Sequence, residues 1–196
     1  EDDEMKASLA AALVEAGDYR EGERIYRKLY EEADDASGKL KWIASMVDLA
    51  RQEGREDELV EDFERRKRAN PREVTPLLAL AAIYRELSDE GGQQEALVEA
   101  VRRRPGDVKL INELAEVLED TGDFEKALNW RKEAAKRDPG PDSKRRLADY
   151  HFRQGDTEAG LEALRTIPKE ANDPRAMERT LQSLARTEEW ELLLTY

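Results

Sequence analysis

Apolar residues recur along this chain with the period of an α-helix, and the pattern breaks at regular places. Val108, Ile111, Leu114, Ala115 and Leu118 fall at spacings of three and four, which puts their side chains on one helix face. The stretch Gly122 to Leu128 (GDFEKAL) then turns the chain, and Phe124, Ala127, Leu128 and Ala134 mark the inward face of a second helix that ends at Arg137, Asp138 and Pro139. The same order of helix, turn, helix and proline-bearing link starts again at Leu40 and at Val74. No segment alternates apolar and polar residues as a strand does, so the pattern predicts an all-helical chain of about eleven or twelve antiparallel helices.

The links set the period. Pro71, Pro105 and Pro139 stand 34 residues apart, the mark of an internal repeat. In register, the copy beginning at Val108 presents Ile111, Leu114, Ala115, Leu118, Gly122, Phe124, Ala127, Ala134 and Pro139. That set resembles the tetratricopeptide repeat family, with one departure: Arg131 stands where the family usually has an aromatic. The resemblance extends along the chain with drift. Leu9, Ala10, Leu13, Gly17, Tyr19, Gly22 and Tyr26 carry it in the first copy, and about three extra residues around Ala36 to Lys39 delay the second. In the second copy Val47 and Leu59 occupy sites meant for small residues, so its two helices are expected to stand further apart. The third copy keeps Leu77, Leu80, Ala81, Tyr84, Leu97, Ala100 and Pro105, but its turn reads SDEGGQQ with the glycines displaced. In the fifth, Pro168 is expected to end the second helix early.

The resulting expectation is an all-α fold: an α-solenoid, wound as a right-handed superhelix, of about five and a half helix-turn-helix repeats. A single array would span 1–196, with repeats near 3–36, 40–73, 74–107, 108–140 and 141–173 and a partial copy at 174–196. The last copy stops inside a helix, which reads as a fragment of a longer protein. Trp190, Leu192, Leu193 and Leu194 crowd that final helix, so the C-terminal edge is expected to pack on another copy or on further sequence.

Composition narrows the partners. The net charge is −13, and Glu1 to Ala36 hold twelve acids against five bases. So acidic a chain repels phosphate backbones, which argues against nucleic acid. No apolar run approaches the ~20 residues of a membrane span. With no cysteine in the chain, nothing separates a reducing cytosol from a periplasm.

Most residues that resemble chemistry have a structural reading. Arg65 to Arg68 and Arg102 to Arg104 fall in last turns of second helices, where the helix dipole favours cations. Gly17, Gly54, Gly122 and Gly155 suit left-handed turns, and no Lys-Ser or Lys-Thr follows them as a phosphate loop requires. Trp42, Trp130 and Trp190 sit at or beside inward sites and read as packing residues. His151 is the only histidine and lies at a packing position, without an identifiable nucleophile and orienter nearby in sequence. Glu116, Glu119 and Asp120 form an acidic helix face, but one face without a loop seldom converges enough oxygens to hold a hard cation. No catalytic, metal or cofactor site is expected.

The resemblance implies a concave face lined by the first helix of each repeat, on which an extended or helical segment of a partner protein lies. Carried over residue by residue, that face comprises Ala7, Ala11 and Val14; Lys41, Ala44, Asp48 and Arg51; Leu78, Ala82 and Arg85. It continues with Lys109, Asn112, Glu116, Glu119 and Asp120; Asp142, Arg145, Asp149, Phe152 and Arg153; and Arg175, Glu178, Gln182 and Arg186. Leu78 and Phe152 are the expected apolar anchors. No three consecutive repeats supply the Lys and Asn set by which some members clamp a C-terminal carboxylate. The asparagine ladder of sugar-transferring members is replaced by Ser8, Ser45, Ala79, Glu113, Arg146 and Arg179. The chain therefore reads as a non-catalytic scaffold that binds a protein or peptide. The other reading is a docking or regulatory module of a larger enzyme whose catalytic domain lies outside these residues.

Overall fold

The turns within the helix pairs are built alike. Gly17, Gly54, Gly122 and Gly155 hold φ of 86°, 66°, 80° and 77°, the left-handed conformation that costs glycine least. The N–H of the following residue reaches back to close the first helix, as in Asp18 N to Leu13 O at 2.8 Å and Asp123 N to Leu118 O at 2.8 Å. After Gly17, Gly122 and Gly155 that residue is an aspartate that caps the second helix, Asp18 accepting from Glu21 N, Asp123 from Lys126 N and Asp156 from Ala159 N, whereas Arg55 after Gly54 makes no side-chain cap. The displaced glycines of the third copy leave Ser88 at this position, and it adopts φ 57° in their place. Asp89 still completes the motif, with its N–H on Tyr84 O and its carboxylate on Gly92 N.

A computed structural model describes residues 2–167 and Glu178. Its described residues form eleven helices in two compact units, Glu1–Pro105 and Gly106–Tyr196. In the first unit α1 (Asp2–Glu15) pairs with α2 (Tyr19–Glu32), α4 (Ile43–Glu53) with α5 (Glu56–Ala69), and α6 (Thr75–Glu86) with α7 (Glu90–Arg103). In the second, α8 (Val108–Asp120) pairs with α9 (Phe124–Arg137) and α10 (Pro141–Arg153) with α11 (Thr157–Arg165). The fold is all-α, built from helix-turn-helix repeats. Pro76 and Pro141 sit in first turns of α6 and α10, where a missing N–H costs nothing.

The extra residues before the second copy form α3 (Ala36–Lys41), capped by Asp35 and tied to the end of α2 through Lys39 Nζ, which donates to Tyr30 O and Glu31 O at 3.1 Å each. As the large residues at its small sites foretell, α4 and α5 touch less closely than the other pairs. Val47 and Leu59 are both buried there. A crevice lined by Glu23, Arg27, Met46, Leu49, Ala50, Arg55, Glu58 and Leu59 opens beside them.

The core of the first unit is filled by Leu29, Ile43, Phe63, Leu77, Leu80, Ile83 and Leu97, and Tyr30 meets Phe63 edge-on at 5.3 Å. In the second unit Ile111, Leu114 and Leu118 pack from α8, while Ala148, Phe152, Leu161, Leu164 and Ile167 form a cluster around α10 and α11. Leu9 occupies a position where the repeat wants an inward residue, yet it is exposed, because no described element covers that side of α1. Pro168, the partial repeat at 174–196 and the apolar edge at Trp190, Leu192, Leu193 and Leu194 lie outside the described residues, apart from Glu178, which is helical and exposed.

The basic clusters do more than complement dipoles. Arg66 of α5 reaches Glu31 of α2 at 3.2 Å, Arg27 of α2 reaches Asp62 of α5 at 2.6 Å, and Lys67 of α5 meets Glu99 of α7 at 3.7 Å. Successive second helices are thus stapled by ion pairs within the first unit. Trp42 is buried beneath Lys41, whose ammonium lies 4.6 Å from the ring centroid.

Candidate functional site

The residues expected on the binding face divide into two groups. Some stand in solvent. On α4, Ala44, Asp48 and Arg51 are exposed; on the neighbouring α6, Arg85 is exposed and Leu78 half-buried, with Ala82 buried between them. Arg51 bridges the two helices, its guanidinium donating to Asp48 at 3.0 Å and to the carbonyl of Glu86 at 2.8 Å. In the second unit Lys109, Glu116 and Asp120 are exposed along α8 and carry no ion pair among the described residues. On α10, Arg153 is half exposed, Asp149 is partly buried, and Arg145 lies against Asp142 at 3.2 Å.

The others turn inward. Asn112 is 8 % exposed, the Glu119 side chain 6 % and Phe152 5 %, so none of these three is presented on an open face. The cause is the second helix of the pair. Val14, Arg51, Arg85, Glu119 and Phe152 share one register position, and its side chain leans toward the second helix wherever that helix offers it a place. Gly22 leaves room for Val14: a Cβ on Gly22 would stand 2.5 Å from Val14 Cγ2. Gly160 does the same for Phe152, whose ring would lie 2.3 Å from an added Cβ. Phe152 is therefore a core residue and not an apolar anchor for a ligand.

For Glu119 the place is electrostatic. Arg131, the departure from the family pattern, is buried and donates from Nε to Glu119 Oε1 at 2.8 Å and from Nη1 to Asn112 Oδ1 at 2.9 Å. Asn112 Nδ2 donates to Val108 O at 2.9 Å. The other oxygen of Glu119 is held by Arg153 Nη2 at 2.7 Å. Every group in this cluster has a partner, which is the condition for burying charge. The sequence signal was the arginine at an aromatic site, with acceptors Asn112 and Glu119 one helix away.

His151 Nδ1 stands 3.5 Å from Asp156 Oδ2, and its ring meets Tyr150 edge-on at 5.7 Å. Burial pushes its pKa below the usual histidine value, against the pull of Asp156. Asp156 is engaged as the cap of α11, and Tyr150 OH donates to Phe124 O at 2.7 Å. These are structural tasks. Among the described residues no group of three His, Cys, Asp or Glu side chains is placed to hold a metal ion, and no helix is long and apolar enough to cross a membrane.

Comparison with known proteins bears on the fold. The family model described as tetratricopeptide repeat matches residues 6–28 and 143–166. Among solved structures, the chain is similar to a thermophilic TPR protein of Thermus thermophilus, at 20 % identity and a TM-score of 0.52 over 93 % of this chain and 99 % of that one. It is also similar to MamA, at 12 % identity and a TM-score of 0.52 over 91 % of this chain and 97 % of that one. A second MamA structure matches at 12 % identity and 0.51 over 96 % and 95 %. At these identities the likeness is one of fold. No curated protein matches the sequence.

Proposed function

We propose that this chain of tetratricopeptide repeats is a protein-interaction scaffold, and that it takes segments of a partner protein on the exposed faces of its first helices. The observation that carries this reading is the outer face of α8. Glu116 and Asp120 stand four residues apart, exposed and without a cation among the described residues. Like charges at that spacing disfavour a helix by about 0.2–0.5 kcal/mol. A lysine or arginine of a partner relieves that repulsion and gains specificity and association rate from the pairing. Lys109, one turn beyond Asn112, supplies the opposite charge and orients the ligand along the helix. In the first unit, half-buried Leu78 lies two turns before exposed Arg85 on α6, an apolar contact with a base further along the helix, suited to a short acidic or apolar stretch.

The test is selection of peptides from a random display library on the intact chain, followed by charge reversal. Ligands carrying basic residues are expected, and Glu116→Lys should weaken them by about tenfold and flatten their salt dependence. Glu125→Lys, the same charge change on the exposed side of α9, and Lys132→Glu should leave binding within about twofold. Ligands that lose affinity with the α9 variants and keep it with Glu116→Lys would place the binding face elsewhere.

A further inference from the structure

The face that each repeat turns toward the one before it can be compared within the first unit. Trp42, Met46 and Leu49 form this stripe at the start of the second copy, and Pro76, Leu80 and Ile83 form it on α6, 34 residues later. Both stripes are buried, the first under α2 and the second under α5, the second helix of the preceding repeat in each case. The corresponding residues of α1, 37 positions earlier, are Met5, Leu9 and Ala12. The offset is fixed by the paired left-handed turns at Gly17 and Gly54. On α1 the stripe is open: Met5 is 66 % exposed and Leu9 54 %. Among the described residues the same architectural surface is therefore covered twice and left uncovered once.

Its rim is acidic. Asp2 flanks the stripe on one side, and Glu4 and Glu15 flank it on the other, all exposed. Lys6 is taken up by Asp2 at 2.8 Å and Glu32 at 3.5 Å. Asp18 stands where the next copy has Arg55, and Arg55 bonds Glu23 of the covering helix at 2.9 Å. At α1 the sign of that contact is reversed, so a covering helix would present a base there.

We propose that this stripe is a docking surface for a basic amphipathic helix of a partner protein, which stacks on α1 as α2 stacks on α4. A second copy of the chain is the wrong occupant on charge. It would bring another acidic α1 rim, or another chain of net charge −13, against this one. The surface is separate from the α8 face, and variants on the two faces distinguish them.

The probes are two synthetic helical peptides of about 18 residues with the same leucine stripe, one flanked by lysine and one by glutamate. Their binding to the intact chain is followed by fluorescence anisotropy. The lysine peptide should bind at least about tenfold tighter than the glutamate peptide. Leu9→Asp should weaken the lysine peptide by about tenfold although it makes the chain more negative, and Leu9→Ser should weaken it without a charge change. Both variants alter an exposed side chain, so circular dichroism should report unchanged helicity. Glu116→Lys should not alter this binding. Retention of the lysine peptide by Leu9→Asp would mean attraction to bulk charge only and would overturn the proposal. So would equal binding of the two peptides. Sedimentation velocity showing self-association that Leu9→Asp abolishes would make a second copy the occupant.

Discussion

Replacing Glu119 by leucine should cost far more than a surface charge does, and replacing Arg131 as well should restore most of the loss. In the single variant the Arg131 guanidinium, whose side chain is 4 % exposed, keeps only Asn112 as an acceptor, while Arg153 is exposed enough to turn to water. Stranding a buried charge in this way costs about 3–5 kcal/mol. For a unit of this size that lowers the melting temperature by roughly 10–25 °C. Arg131→Leu alone is milder, about 2–3 kcal/mol, because Glu119 keeps the Arg153 contact at 2.7 Å. In the double variant Glu119→Leu/Arg131→Leu no charge is stranded and the two leucines pack between α8 and α9. What remains is the orphaned Asn112 carbonyl, about 1–2 kcal/mol. The assay is urea denaturation of the intact chain by circular dichroism for the full double-mutant cycle, with hydrogen exchange in α8 and α9 to localise the effect. The double variant should be more stable than Glu119→Leu, with a coupling near or above ~3 kcal/mol. Additive losses, or a Glu119→Leu cost below ~1 kcal/mol, would refute the account of Arg131 as the partner that draws Glu119 inward.

Ser88→Gly should stabilise the first unit by about 0.5–1 kcal/mol, read as a higher urea midpoint at unchanged slope, since Ser88 alone among the described non-glycine residues holds a positive φ. Acid should destabilise the same unit. Burial pushes the carboxyls of Glu23 and Asp62 up, but hydrogen bonds from Arg27 to both, from Arg55 to Glu23 and from Arg66 to Asp62 outweigh it and hold both below the usual carboxylate range. Their stabilisation is complete above the unfolded values of about 4 and lost as pH falls through the lower folded values, so Arg27→Met should flatten the dependence of unfolding free energy on pH below about 4.

The helices, their pairing and their turns were legible because they rest on local interactions. A spacing of three and four residues defines a helix face whatever lies opposite it. A glycine followed by aspartate satisfies the end of one helix and the start of the next within a few residues. Even the loosened pair α4 and α5 could be read, since Val47 and Leu59 announce their volume. The face proposed for binding was legible only in part. Ala44, Asp48, Arg85, Lys109, Glu116 and Asp120 are exposed as their register implies, whereas Asn112, Glu119 and Phe152 share that register and are buried.

By itself, then, the sequence determined the paired helices, the repeat length, the turn glycines and the apolar stripe of each helix, all set by contacts a few residues apart, while the helix α3 that the extra residues form was not read from it. The tertiary structure alone decided which side chains at one register position turn inward, because that depends on what the second helix offers: the missing Cβ of Gly22 or Gly160, or the guanidinium of Arg131. It also decided that, among the described residues, nothing covers the stripe at Met5 and Leu9 while its counterparts at Trp42 and Leu80 are closed. An apolar stripe records only that a helix prefers cover, and whether cover arrives depends on the neighbour that packs against it.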